Sequence, residues 1–101
     1  MDIQKLLKQA QQMQAGMQKT QEELAAKTVQ ASVGGDKVIV EANGAGDILS
    51  ITIDPSVIDS SDVEFLQDLV LSGVKEAIKK SKEMATGEMS KLTGGLDLPS
   101  M

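Results

Sequence analysis

Apolar residues recur along the first quarter of the chain at helical spacing. Ile3, Leu6, Ala10, Met13, Met17, Thr20 and Leu24 stand 3, 4, 3, 4, 3 and 4 residues apart. This is the a/d seam of a heptad repeat, held for three heptads. The residues between are mostly Gln, Lys and Ala, all good helix formers, and Asp2 is placed to cap the first turn. The pattern predicts a helical arm over residues 1–27, with the helix itself from residue 2. Ala and Met make its seam adaptable rather than tight. The seam weakens at Thr20 and Lys27. Gly16 costs about 1 kcal/mol of helix stability, which favours bending or fraying near the middle.

The period then falls from helical to two. Val29, Ala31 and Val33 alternate with Thr28, Gln30 and Ser32, and Val38, Val40 and Ala42 mark one face of the next run. In the third run Leu49, Ile51 and Ile53 share a face, with Ile48, Ser50 and Thr52 opposite. Gly34-Gly35-Asp36 and Asn43-Gly44-Ala45-Gly46-Asp47 are turn signals. Together they predict a three-stranded antiparallel meander over residues 28–54. Asp54-Pro55 ends it, because proline cannot continue a ladder. After a turn with a helical start, Ser61 or Asp62 caps a second long helix over residues 62–91. Its apolar stripe is Leu66, Leu69, Val70, Val74, Ala77, Ile78 and Ser81, about 180° wide. Gly73 lies inside that stripe, where a missing side chain permits close backbone approach. Thr93-Gly94-Gly95 stops the helix, and residues 93–101 are expected to be a flexible tail.

These elements make a single α+β domain over residues 1–101, ordered α-β-β-β-α. Helices of these lengths would run about 39 and 45 Å, whereas five- or six-residue strands span about 17–20 Å. Both helices must therefore project beyond the sheet, pair with each other, or pair with a second chain. The first half of the second helix is apolar enough to cover the sheet, leaving its second half and most of the first helix as an arm. Apolar surface left open in a monomer predicts a homodimer. The pattern leaves open whether the arms pair within or between chains.

Composition narrows the chemistry. With 101 residues and 41% hydrophobic content the chain can build one modest core. It has neither His nor Cys, which excludes disulfides, thiol chemistry and Cys/His metal centres. A single aromatic, Phe65, offers no stacking platform for unpaired bases. No apolar run approaches the roughly 20 residues that span a bilayer, and the N-terminus lacks the apolar stretch of a signal peptide. The expectation is a cytoplasmic protein without membrane contact.

Charge is unevenly laid out. The net charge of −5 divides into +1 over residues 1–31, −7 over residues 32–72 and +1 over residues 73–101. All ten basic residues are lysines. Lys5, Lys8, Lys19 and Lys27 fall within about 100° of one another on the first helix. On the second, Lys75, Lys79 and Lys82 lie opposite the apolar stripe, with Lys80 and Lys91 nearer its edge. These faces read either as ordinary solvated helix surface or as phosphate contacts along a duplex. Lysine supplies a point charge for phosphate but no bidentate base reading. Glu23, Glu76 and Glu83 interrupt or flank the faces, so binding should be weak per chain and strongly salt-dependent.

Asp54, Asp59, Asp62 and Glu64 cluster near the Asp-Pro turn, but turn and helix-capping roles account for them better than catalysis or a metal. The glycine-rich turns match no complete phosphate-binding motif. No catalytic residue, metal site, cofactor or small-molecule substrate is expected, and the chain does not read as an enzyme.

Four stretches in combination resemble the YbaB/EbfC family of bacterial nucleoid-associated proteins: IQKLLKQAQQMQ, VIVEANGAGDILSITIDPSVI, DVEFLQDLVLSGVKEAIKKSKEMA and KLTGGLDLP. They cover nearly the whole chain, and VxVxxxGxxxxxxIxIDP followed by TGGLxLP is a strong joint signal. The resemblance implies a tweezer-like homodimer with a central β core and projecting helical arms. It implies duplex DNA as partner, a nucleoid location, and effects on nucleoid organisation and gene expression. DNA contacts on the arms carry over to Lys5, Lys8 and Lys19 of the first helix and to Lys79, Lys80 and Lys82 of the second. The competing reading is a protein-interaction adaptor, in which the Met/Ala seam receives a partner helix and the lysines only solvate.

Overall fold

The computed structural model describes residues 2–93. Helix α1 spans Ile3–Ala26, strands β1, β2 and β3 span Thr28–Val33, Val38–Asn43 and Ile48–Ile53, a 3-10 turn spans Pro55–Val57, and helix α2 spans Val63–Thr93. The strands form one antiparallel sheet in the order β1-β2-β3. The expected tail lies outside the described residues from Gly94 onward.

Local chemistry sets the boundaries. The Asp2 carboxylate accepts from the backbone N–H of Gln4 and Lys5 and caps α1. The Asp62 carboxylate accepts from the Phe65 N–H at the start of α2. α1 runs unbroken through Gly16, whose carbonyl also accepts the Thr20 hydroxyl at 3.0 Å. The β1–β2 loop is Gly34 to Lys37, with Gly34, Gly35 and Asp36 all at left-handed φ near 65°. Two glycines adopt that region without steric cost, and a short polar side chain tolerates it at the third. The Ser32 hydroxyl donates to the Asp36 carboxylate and braces the turn. At the Asp-Pro turn, the Asp54 carboxylate accepts from the Ser56 N–H at 2.8 Å.

The core sits between α2 and two of the three strands. Ala31, Val38, Val40, Ala42 and Ala77 are buried, with Val29, Val33, Ile53, Leu69 and Val74 packed around them. These are the inward faces that the alternation predicts for β1 and β2. Gly73 lies where the helix meets the sheet, and a Cβ there would stand 2.9 Å from Val40 Cγ2. That is the close approach expected of a glycine within the stripe.

β3 departs from the alternation. Its register against β2 slips by one between Glu41 and Ala42, so Ile48 rather than Leu49 stands opposite Ala42. A bulge inserts one unpaired residue and shifts the faces beyond it, which a period-two reading does not anticipate. α2 packs chiefly on β1 and β2 and reaches β3 only weakly. Ile48, Leu49 and Ile51 consequently remain 37–48% exposed.

The molecule is a rod, 70 × 27 × 17 Å, with a radius of gyration of 19.6 Å. A compact chain of this length would have about 13 Å. The projection inferred from helix length is thus realised.

Candidate nucleic-acid interface

The arm is anchored at one end only. Leu24 of α1 is buried against the Asn43–Gly44 corner, where a Cβ on Gly44 would meet Leu24 Cδ2 at 2.7 Å, the Leu24 carbonyl at 2.9 Å and Met84 Sδ at 3.0 Å. The Gly44 N–H donates to the Leu24 and Lys27 carbonyls, and the Asn43 amide donates to the Ala25 carbonyl. From the α2 side, the buried Ser81 hydroxyl donates to the Asn43 carbonyl at 2.7 Å. The last turns of α1 therefore pair with the second half of α2 within one chain. From Ile3 to Lys19, by contrast, every residue except Gly16 is exposed.

This geometry sorts the lysines. Lys27 donates to Glu88 at 2.7 Å, and Lys91 reaches the same carboxylate at 3.6 Å. The hydrogen bond and charge of Glu88 raise the Lys27 pKa, and the Lys27 hydrogen bond lowers that of Glu88. Lys37 lies 3.5 Å from Asp54, whose pKa is lowered first by its bonds from Ser56 and then by Lys37. Lys27, grouped by helical phase with the other α1 lysines, is thus spoken for. No local pattern announces this, because Glu88 is 61 residues away.

Lys5, Lys8 and Lys19 are exposed on α1, on the side away from the seam, and their ammonium groups make no hydrogen bond or ion pair among the described residues. Lys79 and Lys82 share an open groove of about 590 Å³ on α2 with Lys75, Ile78, Glu83 and Thr86. Lys75 belongs with them by its spacing, although the resemblance did not single it out. Lys80 is held differently: its ammonium donates to the Gln30 carbonyl at 2.7 Å, beside β1. Two sets of free ammonium groups result, one on each helix. Among the described residues no cluster of three or more acidic side chains could hold a metal ion. No described helix is long and apolar enough to cross a membrane.

Known proteins share this architecture. The crystal structure of an uncharacterized protein from Helicobacter pylori superposes with a TM-score of 0.81 over 91% of this chain and 97% of that one, at 23% identity. A nucleoid-associated protein of Acetivibrio thermocellus is 57% identical over 94% of this chain and 84% of its own. Another from Clostridium novyi is 54% identical over 100% of this chain and 89% of its own. A third, from Akkermansia muciniphila, is 54% identical over 98% and 95%. The YbaB/EbfC DNA-binding family, which is not an enzyme family, matches residues 1–96. Matched by the family model over residues 1–96 and more than half identical to these relatives, the chain belongs to the YbaB/EbfC DNA-binding family of nucleoid-associated proteins.

Proposed function

We propose that the protein acts as a homodimer that grips duplex DNA through the lysine faces of its arms, organising the nucleoid of the cytoplasm and affecting gene expression. The observation that carries this reading is the free state of the ammonium groups of Lys5, Lys8, Lys19, Lys79 and Lys82. Lys5, Lys8 and Lys19 ride on the part of α1 that outruns the β platform, and Lys79 and Lys82 lie on α2 where it packs on the sheet, while Lys27 and Lys37 are neutralised by carboxylates. Lys80 retains two protons beyond the one given to Gln30 and sits beside Lys79 in sequence, so it can add a further contact. Lysine alone reads phosphate rather than base edges, so the grip is expected to be largely independent of sequence. The acidic centre directs DNA to the arms.

The dimer reading rests on apolar surface that one chain cannot cover. Leu66, Val70, Leu71 and Val74 of α2 line an open apolar groove with Gln67. The exposed Ile48, Leu49 and Ile51 of β3 lie on the strand that α2 leaves largely bare. Their joint burial in a twofold contact would set two arms on one platform. A gel shift with a mixed-sequence duplex at low and moderate salt, beside a solution mass, tests both parts. A shift that fades with salt and a mass of at least two chains are expected. A strict monomer at micromolar concentration would overturn the dimer, and no shift at either salt would overturn the DNA reading.

A further inference from the structure

From the pattern of α1 beyond its anchor, we infer that the arm tip is a self-association surface: residues 3–13 mate antiparallel with the same segment of a second copy, joining the arms of separate molecules. This contact is distinct from the platform contact proposed above and does not depend on it. Ile3, Leu6, Leu7 and Met13 are 48–69% exposed. A helical segment of this length is marginal in water when nothing covers its apolar face.

Three features favour a second copy as the cover. First, the seam flanks of the mating segment, Leu7 and Gln9, and the next ones, Gln14 and Gly16, carry no charge, so two identical faces can meet without repulsion. Second, large residues meet smaller or flexible ones in the antiparallel register. Ile3 stands opposite Met13 of the second copy and Leu6 opposite Ala10. The twofold axis then brings Leu7 to Leu7 and Gln9 to Gln9, which explains an apolar residue at position 7, beside the seam. Third, this register ends before Thr20 and Leu24, which α1 already buries within its own chain. Lys5 and Lys8 stay on the outer side, so a mated pair of arms still presents ammonium groups to DNA. Joined tips would let one assembly bridge two duplex segments.

Charge reversal across the twofold axis tests this. The full chain is compared with Leu7→Lys/Gln9→Lys and Leu7→Glu/Gln9→Glu variants by sedimentation over a concentration series. All these positions are exposed, and the substituted residues are good helix formers. The unaltered chain should associate beyond the platform species. Each variant alone should shift that step to higher concentration, with added salt reducing the loss. An equimolar mixture of the two should restore it. The inference is overturned if either variant alone assembles like the unaltered chain. It is also overturned if the mixture does no better than its components, as when residues 94–101 or a foreign protein cover the face. An Ile51→Glu variant separates the two contacts: it should lose the platform step and keep the response to charge reversal.

Discussion

At the scale of single residues, glycine positions report which contacts the fold cannot loosen. A methyl group on Gly44 would strike the Leu24 carbonyl, a backbone atom that also accepts the Gly44 N–H, so neither side can yield easily. Gly44→Ala should cost about 1–3 kcal/mol in urea unfolding, the usual range for overpacking. Gly87 is the contrast, since a Cβ there meets nothing within 4 Å and its φ is not left-handed. Gly87→Ala should add roughly 0.4–1 kcal/mol by the same measurement, through helix propensity and a less disordered unfolded chain. The sequence pattern anticipated the tight fit at Gly73, because that glycine falls inside an apolar helical stripe. It read Gly44 only as a turn residue. The neighbours that make Gly44 indispensable come from α1 and α2, 20 and 40 residues away in the chain.

At the scale of elements, the base of the arm is a small joint. Leu24 fills it, and Leu24→Ala should cost about 2–5 kcal/mol, with hydrogen exchange accelerating in α1 more than in β2. The Lys27–Glu88–Lys91 cluster closes the joint at the surface. Glu88 has a lowered pKa in the fold, so its contribution is present above the unfolded carboxylate value and is lost as pH falls through the folded one. Lys27 has a raised pKa, so its contribution holds below the unfolded lysine value and fades as pH rises through the folded one. The effect of Glu88→Gln on stability should therefore be flat between about pH 5 and 10 and vanish in acid. A pH series of urea melts would show this. Helix and strand periods, caps and the Asp-Pro stop made the element order legible in the sequence. The bulge in β3 was not, because the slip at Ala42 arises between strands and leaves no mark in one strand's own alternation. The division of the broad α2 stripe was equally hidden. Leu69, Val74 and Ala77 go to the sheet, while Leu66 and Val70 join Leu71, from outside the stripe, in an open groove that Val74 also borders.

At the scale of the whole molecule, length and charge act together. The two helices outrun a sheet of six-residue strands, and the excess becomes a rod on which α1 carries Lys5, Lys8 and Lys19 beyond the acidic middle. That outcome was legible from element lengths and lysine spacing alone. Which lysines remain free was not, because neutralisation of Lys27 and Lys37 depends on tertiary neighbours. The central claim is that the free arm lysines neutralise phosphates, and salt dependence measures it most directly. Binding of a mixed-sequence duplex is followed across a salt series for the unaltered chain and for the Lys5→Ala/Lys8→Ala/Lys19→Ala variant. The variant should bind more weakly, and the slope of log K against log salt should flatten by about 0.9 for each engaged lysine removed, up to ~5 for a dimer. An unchanged slope and affinity would contradict the account, because the arms would then be holding something other than DNA.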